Sequence, residues 1–148
     1  MQDAGYIMTV PNNVAAVPAL RRNPVIAYMA DDFRKPYPFQ ADAAVAIDDV
    51  IDLKIGALHC HVSQMYEWVP WHEGKLDQVP ADDAGRRKWL FDARTPPDAQ
   101  RADRNRDKLV ERYGREKGGS IRFAEVFEFC EYGSQPDDAM LERLFGGL

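Results

Sequence analysis

The sequence predicts an α/β layer fold with a small sheet. Apolar runs of strand length alternate with segments of helical periodicity, and stretches that contain proline or glycine separate them. The chain has 148 residues, which is long enough for one domain with its own hydrophobic core. We therefore expect a single domain over residues 1–148.

Three segments have the composition of strands. The first, NPVIAYM at 23–29, is a short apolar run and predicts a buried strand. The second, AAVAI at 43–47, follows a loop that contains two prolines and several aromatic residues. The third, SIRFAEVFEF at 120–129, alternates imperfectly between apolar and polar residues. Three strands make a small sheet, and we expect the first to lack a neighbour on one side.

The best-supported helix begins after the second strand. Asp48 and Asp49 are predicted to cap its first turn. Pro70 and Gly74 are expected to end it, and residues 68–97 are predicted to form a long loop rich in aromatic residues and proline. Apolar residues recur every three or four positions along this helix and predict one buried stripe: Ile47, Ile51, Ile55, Leu58, Val62 and Met65.

Two further helices are expected toward the end of the chain. Residues 98–117 form a charged helix that Gly118 and Gly119 are expected to stop. In SQPDDAMLERLF, Ser134 and Asp137 have the spacing of a capping box, which predicts a last short helix. The inward-facing residues of the charged helix would be Leu109, Val110 and Tyr113.

Composition and charge argue against several classes of function. A net charge of −5 opposes binding to nucleic acid, and acids interrupt the eleven Lys and Arg residues between 86 and 117, which predicts a solvated helix face. No apolar run approaches the roughly 18 residues of a membrane span, and the first residues lack the basic and apolar regions of a signal peptide. The two cysteines, Cys60 and Cys130, make no disulfide framework, so a reduced cytoplasmic protein is expected.

The segment KIGALHCHVSQ, residues 54–64, concentrates side chains that could carry chemistry. On a continuous helix, His59 would point about 200° away from His61, so the two rings could not converge on one metal. The sequence contains no H-x-x-H, H-x-x-x-H or C-x-x-C spacing. Ser63 lacks the glycines of a nucleophile elbow, and neither cysteine has a base beside it in a known pattern. One polar stripe would lie beside the apolar one: Lys54, Ala57, His61, Gln64 and Trp68.

Two interpretations of this polar stripe stay open. In one, His61 is an ordinary packed residue on a half-buried helix. In the other, Lys54, His61 and Gln64 face a ligand or a lid and exchange hydrogen bonds with it. His59 and Cys60 are expected to be incidental. Three aromatic residues near the helix end could stack on a sugar ring or pack across a subunit or domain contact: Tyr66, Trp68 and Trp71.

The pattern Lys54-x-x-Ala57-x-x-x-His61-x-Ser63-Gln64 resembles the carboxyl-terminal signature of the PIG-L/LmbE-like family of zinc-dependent de-N-acetylases. The preceding ADAAVAIDDVIDLKIGAL resembles the PD-x-x-VDI-x-x-x-x-x-x-K-x-x-AL run that leads into this signature. NPVIAYM resembles the strand after the second histidine motif of the family, and RFAEVFEF resembles its YAEAF segment. The similarity covers residues 1 to about 130 and is specific over 42–68.

The resemblance implies a partial Rossmann-like α/β fold and a deacetylase that acts on an N-acetyl amide, often that of a glucosamine. In the family, a His and an Asp of an A-H-P-D-D-E motif bind zinc, another Asp serves as general base, and an H-x-x-H-type motif adds a further ligand. The zinc activates water and stabilises the oxyanion. This chain has neither motif, and its first segment, MQDAGYIMTVPNN, is similar to the helix that follows the second one. We therefore expect the carboxyl-terminal part of such an enzyme, without zinc and inactive alone.

No zinc ligand and no catalytic residue carries over from the family to this sequence. The expected partner is the missing amino-terminal half or a neighbouring subunit, and a sheet cut in half also predicts self-association. The alternative is a non-catalytic interaction module derived from the same fold. The candidate substrate-binding or pocket-supporting residues are Lys54, His61, Ser63, Gln64, Tyr66 and Trp68.

Overall fold

A computed structural model describes residues 9–10 and 18–146. The strands are β1 (Ala27–Met29), β2 (Ala43–Ala46) and β3 (Ala124–Phe129). The α-helices are α1 (Ile51–His59), α2 (Val69–His72), α3 (Asp83–Arg104), α4 (Arg106–Tyr113), α5 (Arg115–Ser120) and α6 (Asp138–Phe145). Residues Ser63–Trp68 form a π-helix, and short 3₁₀ turns lie at Asp48–Val50 and Leu76–Gln78. The predicted α/β class and the three predicted strands are confirmed.

The chain divides into two compact units. The described residues of the first unit are 9–10, 18–45 and 126–146, and the second unit is residues 46–125. The first contains β1 and α6, the second contains α1 to α5, and β2 and β3 contribute residues to both. Whether both units belong to one domain stays a prediction. Of the described helices, none is long and apolar enough to span a bilayer.

The sheet has β3 at its centre. β1 pairs with β3 in antiparallel orientation, with Ala27 opposite Phe129 and Met29 opposite Phe127. On the β2 side of β3, the backbone N–H of Asp42 donates to the carbonyl of Phe127 at 2.8 Å. The prediction that the first strand is buried is wrong, because all three residues of β1 are exposed. β1 is the edge strand of the described sheet, so its apolar composition does not by itself bury it.

The core of residues 46–125 confirms most of the predicted apolar stripe. Ile47 and Ile51 pack with Phe123, and Ile55 packs with Tyr66 and Leu90. The outcome for the other predicted positions differs. Leu58 and Met65 are partly buried, whereas 45% of Val62 is exposed.

The exposure of Val62 follows from an interruption of the predicted helix. α1 ends at His59, and the N–H groups of Cys60 and His61 donate to the third residue before them, as in a 3₁₀ turn. The chain then widens into the π-helix, where the N–H of Val69 reaches the carbonyl of Gln64. Pro70 follows; it has no N–H, and its ring would clash with the carbonyl four residues earlier in a regular helix. The 3₁₀ turn and the π-helix together shift the helical phase. As a result, the side chain of Tyr66 takes a core position.

The loop predicted over 68–97 is largely helical. It contains α2, a 3₁₀ turn and the first half of α3. Asp82 caps α3 by accepting a hydrogen bond from the N–H of Gly85 at 2.8 Å. Pro96 and Pro97, which were predicted to be loop residues, lie inside α3.

Two predicted caps are wrong. Asp48 does not cap α1, because its carboxylate accepts from the backbone N–H groups of Arg122 and Phe123, just before β3. Asp137, and not Ser134, caps α6 by accepting from the N–H of Met140 at 2.8 Å. In both cases an acceptor predicted from local spacing has a different donor in the folded chain.

The predicted charged helix is divided among α3, α4 and α5, and Gly118 and Gly119 lie inside α5 instead of ending a helix. Gly118 is buried where α5 meets α4. A Cβ at position 118 would lie 2.6 Å from the Cα of Val110 and closer still to the carbonyl oxygen of Leu109. A Cβ at position 119 would meet nothing within 4 Å. Gly118 is therefore required by close backbone approach, and Gly119 is not.

Replacing these adjacent glycines tests that packing. We expect Gly118→Ala to lower the free energy of unfolding by about 1–3 kcal/mol, because the α4 backbone has to move. We expect Gly119→Ala, in the same helix, to raise it by about 0.5–1 kcal/mol through helix propensity. Urea denaturation followed by circular dichroism measures both values. Equal effects of the two substitutions would contradict the assigned packing.

Candidate functional site

Charged side chains from three elements of residues 46–125 meet around Lys54. Its Nζ donates to Oδ2 of Asp98 at 2.7 Å and also contacts Oε1 of Glu125. Lys54 lies in α1, Asp98 in α3 and Glu125 in β3. The side chain of Asp98 is 2% exposed and that of Glu125 is 16% exposed. One ammonium group therefore joins three elements that are distant in sequence.

Arg101 completes this charged cluster, which consists of Lys54, Asp98, Arg101 and Glu125. Its guanidinium donates to Oδ1 of Asp98 at 2.7 Å and lies 3.8 Å from Oε2 of Glu125. Two cations thus face two carboxylates, and both oxygens of the buried Asp98 have a charged partner. A buried carboxylate is tolerated when it is paired in this way. The arrangement is that of an internal anchor and leaves no carboxylate of the pair free to act as a base.

A second polar cluster surrounds His59. Its Nδ1 lies 2.7 Å from the hydroxyl of Tyr66, and its Nε2 lies 2.9 Å from Oδ1 of Asp83. The prediction that His59 is incidental is wrong, because the ring links the end of α1 to the π-helix and to the start of α3.

The partners of His59 determine where its proton lies. A carboxylate accepts only, so Nε2 carries the hydrogen that is donated to Asp83. In a neutral imidazole, Nδ1 then accepts from the hydroxyl of Tyr66. Burial raises the pKa of Tyr66 above its ordinary value, so the phenol keeps the proton that it donates. The guanidinium of Arg86, 5.3 Å from the centre of the Tyr66 ring, partly opposes this rise.

The remaining candidate residues of the signature lie on the surface after α1. His61, Ser63 and Gln64 are exposed, and no side-chain hydrogen bond joins them to another described residue. They do not share a stripe with Lys54, because the turn at Cys60 separates them from α1. Of the candidate residues at 54–64, Lys54 is therefore half-buried and ion-paired, whereas the others lie on an exposed turn.

The aromatic candidates separate in the same way. Tyr66 is 2% exposed, so its ring is not available to stack on a ligand. Trp68 is 54% exposed and stacks on the ring of His72, with the ring centres 5.8 Å apart. Trp71 is 66% exposed. The two tryptophans are the aromatic surface that this segment offers.

The residues present do not fit the zinc that the resemblance implies for a complete enzyme. Within 9–10 and 18–146, no group of three or more His, Cys, Asp or Glu side chains is arranged to hold a metal. Both ring nitrogens of His59 already have protein partners. Cys60 is exposed, and its thiol donates to the carbonyl of Gly56 at 3.3 Å. The described donors therefore do not assemble a zinc site.

Sequence reasoning missed the partners of Lys54 and His59. The burial of Asp98 could have been predicted, because Thr95, Asp98 and Ala102 have the three- and four-residue spacing of a buried helical face. A carboxylate on such a face needs a cation. Nothing local in the sequence indicates that the cation is Lys54, which is 44 positions away.

Comparison with known proteins gives no match: no protein-family model, no curated protein and no solved structure is similar to this chain at a significant level.

Removing the ammonium group of Lys54 tests the charged cluster. We expect Lys54→Met, which keeps much of the side-chain volume, to lower the free energy of unfolding by about 3 kcal/mol, because it leaves the buried Asp98 with one cation fewer. The control is Lys88→Met, because the ion pair of Lys88 with Asp92 is largely exposed. We expect this variant to lower the free energy of unfolding by less than about 0.5 kcal/mol. Thermal and urea denaturation measure both. Similar losses for the two variants would mean that the cluster has no special energetic role.

The two nearby histidines should respond differently to truncation. We expect His59→Ala to lower the free energy of unfolding by about 1 kcal/mol, because the buried Tyr66 hydroxyl loses its shorter hydrogen bond and keeps only the carbonyl of Arg86 at 3.4 Å. The exposed His61 should tolerate alanine within about 0.5 kcal/mol. Urea titrations of the two variants, run in parallel, measure both losses. A large loss for His61→Ala and none for His59→Ala would contradict the assigned contacts.

Proposed function

We propose that this chain is the carboxyl-terminal part of a PIG-L/LmbE-like deacetylase that hydrolyses an N-acetyl amide, with a glucosamine derivative as the substrate class. In this proposal the three strands belong to a larger Rossmann-like sheet. The chain is inactive alone, because the zinc ligands and the general base come from an amino-terminal part or from another chain.

One observation carries the proposal. Segments that resemble the family at separate places in the sequence meet in the folded chain. Lys54 of the signature is paired with Glu125 of the segment that resembles YAEAF. The strand before the signature is continued by Ile47, whose N–H donates to the carbonyl of Phe123, one residue before β3, at 3.0 Å. Contact between these segments supports the proposal that they belong to one substructure of such an enzyme.

The proposal assigns different roles to the two parts of the signature. Lys54 is a structural anchor that holds α1 against Asp98 of α3 and Glu125 of β3. His61, Ser63 and Gln64 follow on the exposed turn and provide an imidazole, a hydroxyl and an amide. These groups donate and accept hydrogen bonds, which suits the positioning of a polar substrate or of a neighbouring loop. Zinc held by the other part would supply the activated water.

Reconstitution tests this assignment. The chain is coexpressed with an amino-terminal part that carries A-H-P-D-D-E and H-x-x-H motifs, and acetate release from an N-acetylglucosamine derivative is measured together with zinc content. We expect activity in the complex and none in the chain alone. His61→Ala should slow turnover by roughly 10-fold or more without changing the zinc content.

The matched control in that experiment is Glu67→Ala. Glu67 is an exposed residue of the π-helix that follows His61 and lies outside the signature, so this variant should leave turnover unchanged. A loss of zinc in His61→Ala would make His61 a metal ligand and overturn its positioning role. A stable complex without deacetylation would overturn the proposed activity.

The second candidate is a non-catalytic interaction module. The observation that favours it is the exposure of Trp68 and Trp71 on adjacent turns, since aromatic side chains are enriched at protein interfaces. This candidate predicts a monomer that unfolds cooperatively without any partner. Sedimentation at micromolar concentration separates it from the first, which predicts self-association of the isolated chain.

A further inference from the structure

The unit formed by residues 18–45 and 126–146 contains an open cavity of about 490 Å³, beside the end of β3. This volume is within the range of small-molecule sites. Six side chains supply the aromatic surface and the negative charge of the cavity. Three are tyrosines and three are carboxylates: Tyr28, Tyr37, Tyr132, Asp42, Glu128 and Glu131.

The described charged residues that line this cavity are all acidic. Its described lining contains no Lys, Arg or His. Asp42 accepts from the backbone N–H of Phe129 at 2.7 Å, and Glu128 accepts from that of Gln40 at 2.6 Å. These bonds hold both carboxylates in place without neutralising their charge. Glu131 is exposed and forms no ion pair with another described residue.

The tyrosines combine aromatic surface with this negative potential. Tyr28 is 38%, Tyr37 57% and Tyr132 66% exposed, so ring surface is accessible around the cavity. The hydroxyl of Tyr28 donates to the thiol of Cys130 at 3.2 Å. This hydrogen bond, together with burial and with the nearby Tyr37 and Glu128, raises the pKa of Tyr28 to about 12. The phenol of Tyr28 therefore stays neutral at neutral pH.

An adjoining cavity of about 240 Å³ shares Tyr28, Tyr37 and Glu128 with the first. It adds the apolar side chains of Phe33 and Phe39. Lys35 also lines it, and no other cationic side chain lines either cavity within the described residues. The acidic cavity therefore lies beside a more apolar one and shares part of its wall with it.

We propose that these two adjoining cavities bind an organic ammonium cation, that is, a protonated amine attached to a ring or a short apolar body. The ammonium group would lie among Asp42, Glu128 and Glu131, where carboxylates and tyrosine rings both attract a cation. The apolar body would extend toward Phe33 and Phe39. A neutral or anionic ligand of the same shape lacks the first interaction, so charge is the property that the site selects.

The test is a calorimetric titration of the full chain at neutral pH with 2-phenylethylammonium, with neutral 2-phenylethanol as the matched ligand. We expect saturable binding of the amine, at least about fivefold tighter than that of the alcohol. Raising sodium chloride from about 20 mM to about 200 mM should weaken the binding of the amine, because salt screens the carboxylates.

Exposed lining residues provide variants that should fold normally. Glu131→Gln and Tyr132→Ala should each weaken binding by roughly two- to fivefold, whereas Tyr132→Phe, which keeps the ring, should bind like the parent chain. Glu116→Gln, on the exposed surface of α5, is the control for net charge. Equal binding of amine and alcohol, no saturable binding of the amine, or binding unchanged in Glu131→Gln and Tyr132→Ala would each overturn the proposal.

Discussion

The carboxylate of Asp98 is the constraint on which residues 46–125 depend. It lies on the buried face of α3 at a position where an apolar side chain would be the usual choice. Burying a charge is unfavourable unless opposite charges replace the lost hydration, and here Lys54 and Arg101 do so. Because Lys54 also contacts Glu125, neutralising Asp98 brings α1 and β3 to α3. A purely apolar contact of equal area would attract these elements but would define their alignment less closely.

The irregular backbone after α1 has a physical explanation that connects it to the same core. A regular helix through Pro70 would bring the proline ring against the carbonyl of Tyr66. The chain instead tightens at Cys60 and widens over Ser63–Trp68. The shifted phase buries Tyr66, and a buried phenol needs a hydrogen-bond partner, which His59 provides at 2.7 Å. The same shift leaves the polar side chains of His61, Ser63 and Gln64 exposed on the surface.

The two units differ in how they use charge. In residues 46–125 the carboxylates of the charged cluster are paired with cations and act as structural groups. In the other unit, Asp42 and Glu128 bond to backbone N–H groups, so they keep a negative charge beside a cavity. Residue type alone does not distinguish these uses. The partner does, because a cation cancels the field of a carboxylate whereas a backbone N–H leaves most of it.

Local composition and periodicity are enough to predict the α/β class, the three strands, and the burial of Ile47, Ile51 and Ile55. The pairing of residues that are distant in sequence becomes visible in the folded chain alone. Asp48 has the local features of a helix cap, but it bonds to the backbone beside β3, 74 positions away. His59 and His61 look alike in sequence, but His59 is half-buried with two side-chain partners, whereas His61, after the break in helical phase, is exposed. Hydrogen bonds and ion pairs between distant elements depend on three-dimensional proximity, which local spacing does not encode.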